Sequence, residues 1–323
     1  MPASVAGAEG QARGATGPYA VLRELDDEAS GIPVPERRFI GRSADGDRTV
    51  LIGVPLPGAD AGRFLAEAET SRYLLGPWSA PAAEVAAPGD APWHARPYVP
   101  VLPLPAALSV HGGPLPERTV RALGAALVET LVIGHGQGLA HAGVSPAAVL
   151  LAADGPRLMC FGAVRAAAED GTARSGLPGL ESGSLPPEQA AGGRPQPAGD
   201  VYALGAVLAY AATGYTVPER DELPAALRAV VTACLSRDPA ARPRPAELLD
   251  ALCPAAGPPP PDTGAAAEPP RPATLPDAAA NPAGRAAALL GPGWLPGRII
   301  AALARQSAEL LAAALPAPPA PQD

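Results

Sequence analysis

Lysine is missing altogether: all 24 basic residues of the 323-residue chain are arginines, set against 32 acidic ones for a net charge of −8. That balance argues against a nucleic-acid footprint, and it leaves no lysine anywhere for chemistry that needs one. Aromatic residues make up only 4%. The three cysteines, Cys160, Cys234 and Cys253, are odd in number and widely spaced, so neither a disulfide framework nor a paired metal pattern is present. The four histidines show no ligand spacing, and no metal site is expected. The first residues lack the charged-then-apolar order of a secretory leader, and no uncharged apolar run reaches the roughly 18 residues a membrane span needs. These absences lead us to expect a reducing, cytoplasmic setting.

Proline and glycine, by contrast, are abundant, at 44 and 36 residues, and unevenly placed. Residues 1–16 are small and polar and are expected to lack structure. Apolar spacing predicts strands at 19–25, 38–42 and 48–54, with a turn at 44–47, then a helix over 64–75. Two further strands are expected near 83–87 and 93–99. A long amphipathic helix follows over 115–137, with Pro116 placed for its start and Gly138 for its stop. A hairpin turns at Asp154-Gly155, and helices are predicted at 200–213, 223–235 and 245–252. Residues 253–293 read as a Pro/Ala-rich linker, and 294–315 as one more amphipathic helix. Strands first and helices after imply an α+β architecture in two lobes, about 17–99 and about 100–252.

Five segments in order carry a resemblance. Gly138-Leu139-Ala140-His141-Ala142-Gly143-Val144-Ser145-Pro146-Ala147-Ala148-Val149-Leu150-Leu151 resembles a catalytic loop of the form G-L-x-H-R-D-L-K-P-S-N-V-L-L. Cys160-Phe161-Gly162 stands where D-F-G would, and Pro186-Pro187-Glu188-Gln189 where A-P-E-Q would. Asp200-Val201-Tyr202-Ala203-Leu204-Gly205 resembles D-V-Y-S-L-G, and the stretch from Arg237 to Pro243 resembles R-D-P-x-x-R-P. Together these resemble the bacterial, actinomycete-like serine/threonine protein kinases over residues 17–252, and imply a two-lobed protein-kinase-like fold.

The resemblance also shows what is gone. Gly143 stands for the catalytic carboxylate, Ser145 for the lysine after it, and Ala148 and Cys160 for the two magnesium ligands. Gly53 stands for the lysine of the V-A-I-K strand. The segment from Asp26 to Gly31 replaces the phosphate-cradling G-x-G-x-x-G with three carboxylates. Phosphoryl transfer depends on positioning and charge neutralisation, so the resemblance implies a degenerate pseudokinase with no cofactor. It would be a scaffold or allosteric regulator acting through protein partners, such as an active kinase or signalling protein. The alternative is a weakly active kinase that still binds ATP and magnesium.

Glu67, Arg96, Val99, Phe161 and Gly162 are the remnant cleft residues, Arg96 at the gatekeeper position before the hinge 97–99. His141, Glu188, Asp200 and Arg242 are structural by the same resemblance. Having lost its lysine, Glu67 is expected to meet water or to pair with Arg96 or Arg38. Arg37 and Arg38 either enter the cleft or lie on a solvated face. Cys160 reads as a small buried residue or a redox-sensitive thiol. Thr172, Ser175, Ser182 and Ser184 could accept phosphate, but Ala142 removes the arginine that would hold it. The terminal helix, with Ile299, Ile300, Leu303, Leu310, Leu311 and Ala314 on one side, is expected to dock on its own C-terminal lobe or on a partner.

Overall fold

The computed structural model describes residues 15–26, 31–73, 76–159, 182–253 and 284–313. Six antiparallel strands form the first sheet in the order β1-β2-β3-β4-β6-β5. They are β1 (Ala15–Thr16), β2 (Tyr19–Glu24), β3 (Arg37–Ser43), β4 (Thr49–Val54), β5 (Glu84–Val85) and β6 (His94–Pro97). Alternation along β4 sorts its side chains. Val50 and Ile52 join Tyr19, Trp93 and Ala95 in a small outer core, whereas Leu51 joins Ile40 in the main core. Helix α1 (Ala61–Ser71) follows β4, its N-terminus capped by the Asp60 carboxylate, which accepts from the Arg63 N–H at 2.9 Å.

Past the hinge, β7 (Val101–Pro103), β8 (Val149–Ala152) and β9 (Gly155–Leu158) make a second antiparallel sheet. The helices of this half are α2 (Leu104–His111), α3 (Glu117–Gly136), α4 (Pro187–Ala190), α5 (Pro197–Thr213), α6 (Ala225–Cys234) and α7 (Pro245–Leu252). Helix α5 is apolar on nearly every side, which marks a central core helix rather than a surface one. It packs on α3 and α6 and stops at Gly214, whose φ of 89° suits the left-handed cap that glycine takes without strain. A curled antiparallel sheet above a helical half is the two-lobed α+β architecture. Among the described residues no helix is long and apolar enough to cross a membrane.

Several expectations are corrected. Ala15 and Thr16, expected to lack structure, pair with Ala20 and Tyr19. Helix α1 starts three residues before position 64 and ends at 71, because Asp60 supplies the start signal although Ala61 and Gly62 carry no apolar stripe. Helix α2 lies in a stretch for which no element is predicted from the sequence; its Pro105 sits in the first turn, where a missing N–H costs nothing. The stretch taken as linker contains helix α8 (Arg285–Leu289), pinned where the Ala286 N–H donates to buried Glu129 at 2.8 Å.

The last helix, α9, runs Gly297–Ala312. Trp294 precedes it as an anchor, its indole N–H donating to the Ala153 carbonyl at 2.8 Å and its own carbonyl accepting from Thr119 at 2.6 Å. Helix α9 buries Ile299, Ala302, Leu303, Gln306 and Leu310. Ile300 (40% exposed) and Leu311 (83%) lie off that face, and Ala314 falls outside the described residues. The helix does not rest on the helical lobe alone. It packs on α2 and also reaches Arg23 and Arg42 of the sheet.

Candidate functional site

The cleft between the lobes is roofed by β3, β4 and β6. Gly53 is paired with Arg38 on one side and His94 on the other. A Cβ at Gly53 would collide with the His94 ring and lie 2.8 Å from Glu36 Oε2. The volume a long side chain would take from this position is therefore held by a buried polar chain. Arg96 Nη2 donates to His94 Nδ1 at 3.0 Å, and His94 Nε2 lies 2.7 Å from Glu36 Oε2. The two ring nitrogens of His94 thus link the Arg96 guanidinium to the Glu36 carboxylate. Phe64 of α1 stacks on the ring, centroids 5.1 Å apart. Burial alone would raise the Glu36 carboxyl, but His94 beside it, with Arg96 and Arg38 behind, holds it down to about 2. Arg96 turns inward, donating also to the Ala80 carbonyl and to Met159 Sδ, the latter at 3.0 Å.

Arg38 bridges the cleft. Its side chain is completely buried, and its guanidinium meets both lobes. Nε donates to Asp26 Oδ2 at 2.8 Å, with Nη2 on the other carboxylate oxygen. Nη1 donates to the Ala147 carbonyl at 2.7 Å, in the short 3-10 turn Pro146–Ala148 that stands for the catalytic loop. Asp26, expected to repel phosphate, is thus turned onto a cation. Arg37, the neighbour on the opposite face, is exposed and stacks on Phe39 at 5.0 Å.

Glu67 does not reach Arg96 or Arg38, which corrects the expected pairing. It is buried, and Arg63, one helical turn earlier on α1, donates Nε to its Oε1 at 3.1 Å. Among the described residues at this end of the cleft, the carboxylates of Asp26, Glu36 and Glu67 each have an arginine or histidine against them. Val99 is exposed on the hinge rim, and near it Leu51, Arg96, Val101, Leu150 and Met159 help line a largely apolar cavity of about 270 Å³. Cys160, Phe161 and Gly162 lie outside the described residues, as do Thr172 and Ser175 and the side chain of Ser182. Ser184 is only 1% exposed, so its hydroxyl is not available as a phosphate acceptor in this conformation.

The floor is held from beneath. Asp200, in the first turn of α5, accepts from the His141 N–H at 2.7 Å, the Ala142 N–H at 2.8 Å and His135 Nε2 at 2.8 Å. Those bonds hold Ala142 at φ 55°, a left-handed conformation that costs a non-glycine residue energy. The Gly143 N–H donates to His141 Nδ1 at 3.2 Å, so this imidazole is neutral, and burial pushes it down to about 4 in spite of Asp200. Gly143 offers no side chain, the Ala148 methyl is fully buried, and the buried Ser145 hydroxyl has no hydrogen-bond partner among the described residues. Farther down, Arg242 Nη1 and Nη2 each donate to a Glu188 oxygen at 2.7 Å. Arg242 also donates to the Ser236 and Ala198 carbonyls and lies over the Tyr202 ring.

These ionisations set an acid response. An unfolded chain protonates its histidines near pH 6.5, whereas folded His141 resists until about 4, so the unfolded state binds the extra proton across that window. Stability should fall from pH 6.5 to 4 with a slope near 1.4 kcal/mol per pH unit from this group. Below about 4.5 the unfolded chain takes up a proton at Glu36 that the folded one refuses until about 2, so the loss continues. Denaturant midpoints measured from pH 7 to 3 check this, and His141→Asn should flatten the upper part of the curve.

Glu36, His94 and Gln306 were not singled out from the sequence. His94 was passed over because it has no ligand spacing, although the strand register that sets it opposite Gly53 was a usable signal. Arg63, four residues before Glu67, was readable as an i,i+4 partner.

No family model matches the chain. It is 35% identical over 261 residues to the probable serine/threonine-protein kinase PkwA of Thermomonospora curvata, covering 74% of this chain and 34% of that protein. It is 31% identical over 260 residues to the serine/threonine-protein kinase AfsK of Streptomyces coelicolor, covering 74% and 32%. The chain spans about a third of the length of these relatives. Its fold is like that of the crystallised PknI kinase domain of Mycobacterium tuberculosis, with a TM-score of 0.57 at 23% identity, over 75% of this chain and 96% of that one.

Proposed function

We propose that this chain, which has the two-lobed protein-kinase fold and is related in sequence to bacterial serine/threonine protein kinases, is a pseudokinase that regulates or scaffolds protein partners in the cytoplasm. The observation that carries the reading is Arg38, fully buried in the cleft and bonded at once to Asp26 and to the Ala147 carbonyl. A guanidinium with three of its five N–H groups committed in this way is poorly placed to receive a phosphate, and it bridges roof and floor.

The residues present do not fit a magnesium–nucleotide complex. Of the two aligned metal-ligand positions, the described one, Ala148, offers a buried methyl where a hard cation needs oxygen. The position of the phosphate-binding lysine is Gly53, with the His94–Glu36 pair in the space beyond it. A general base is absent at Gly143, and loss of such a group alone costs about 10²–10⁴-fold. Losses among cooperating groups do not separate into independent shares, so restoring one should not restore the reaction.

The test is radiolabelled phosphate transfer to the chain itself and to a generic acceptor, for the unaltered protein and for Gly143→Asp. Both should stay at background. Transfer by the unaltered protein would favour a weakly active, unorthodox kinase instead, and transfer gained by Gly143→Asp alone would show that only the base had been lost.

A further inference from the structure

Helix α9 touches three parts of the fold in succession. At its start, Arg298 Nη1 donates to the His111 carbonyl at the end of α2, in the helical lobe, and Ile299 and Leu303 are buried in the main core. At its middle, the buried Gln306 side chain meets the hinge. Its Oε1 accepts from the Tyr98 hydroxyl at 2.7 Å and from the Val101 N–H at 3.2 Å. At its end, Arg42 of β3 donates to the Leu310 carbonyl and, at 3.0 Å, to the Ala313 carbonyl, while Arg23 of β2 pairs with Glu309 at 3.1 Å. The last carbonyls of a helix have no partner within it, and here a cation of the sheet lobe supplies one, at the end where the helix dipole favours positive charge.

One rigid rod is therefore fixed to the helical lobe at one end, to the hinge in the middle and to the sheet lobe at the other end. Two lobes joined only by a hinge change their angle by bending it; a rod bonded to both sides opposes that bending. Arg38 joins the lobes within the cleft, and α9 joins them through the hinge. We infer that α9 is an intramolecular brace that sets the angle between the lobes, and that its release is the step that lets the hinge move. This goes beyond the proposed loss of catalysis and does not depend on it, since a brace of this kind would restrain an active or an inactive cleft equally.

The full-length chain is the material for the test. Gln306→Ala should speed hydrogen exchange at the Val101 amide by about tenfold, the effect of one lost hydrogen bond, while amides of α3 and α5 keep their protection. With probes on the exposed positions Asp45 and Arg237, the distribution of inter-lobe distances should broaden when Gln306→Ala and Arg42→Ala are combined. Should that pair destabilise the whole fold, Tyr98→Phe, which removes one hydroxyl only, should give a smaller broadening. A distance distribution as narrow in the folded variants as in the unaltered chain would overturn the brace, whatever the Val101 amide does.

Discussion

Glu188→Ala is expected to lower the unfolding free energy by about 3 kcal/mol, the lower end of the range for breaking a buried ion pair, since Glu188 itself is 27% exposed. The cost falls on what is left behind. Arg242 has a side chain only 1% exposed, so it cannot turn to water once the carboxylate is gone. Arg242→Ala should cost a similar amount by another route, because the Ser236 and Ala198 carbonyls lose their donor and Tyr202 loses the cation over its ring. Although burial pushes the Glu188 carboxyl up, the hydrogen bonds from Arg242 outweigh it and hold the group below its ordinary value. Arg244→Ala is the control. It removes an ion pair with Glu247 whose arginine is 83% exposed, and solvated pairs contribute about 0–1 kcal/mol. Equal denaturant midpoints for Glu188→Ala and Arg244→Ala would contradict the assigned role of the pair.

Arg38→Ala should have the second large effect, about 3–5 kcal/mol. It strands Asp26, 14% exposed, without its bidentate partner, and it strips the Ala147 carbonyl. A methionine at position 38 keeps most of the volume but not the charge. Arg38→Met alone should therefore remain costly, while Arg38→Met combined with Asp26→Leu should recover most of the loss, since a buried ion pair can often be replaced by apolar groups of similar volume. The interaction energy from that double-mutant cycle should fall within about 0.5–3 kcal/mol, as for residues in direct contact. Additive effects would show that Arg38 and Asp26 act independently.

The fold was legible in the sequence because strand order, helix periodicity and five ordered motifs agreed on it. Positions within the site were legible wherever a motif named them, as at Gly143, Ser145 and Ala148. Contacts were less so. Arg38 and Arg96 were marked as cations near the cleft, but their partners Asp26, Ala147, His94 and Glu36 depend on a loop and a strand register that no motif encodes. Glu67 pairs not across the cleft but with Arg63 on its own helix, an i,i+4 spacing visible in the sequence. Trp294 and Gln306 belong to a segment following a Pro/Ala-rich stretch, where composition hid the contacts that tie α8 and α9 to the rest. Gln306 in particular is a polar residue on a mostly apolar face, and only the hinge opposite it explains why it is buried.

The central claim is that this cleft no longer takes a magnesium–nucleotide complex. Thermal unfolding of the full chain, with ATP alone and with ATP plus magnesium, tests it most directly. A ligand at 100 times its Kd stabilises the folded state by about 2.7 kcal/mol, which is read as a raised Tm. The same Tm is expected with and without magnesium at millimolar ATP. A clear magnesium-dependent rise, abolished by an ATP-competitive inhibitor, would contradict that claim.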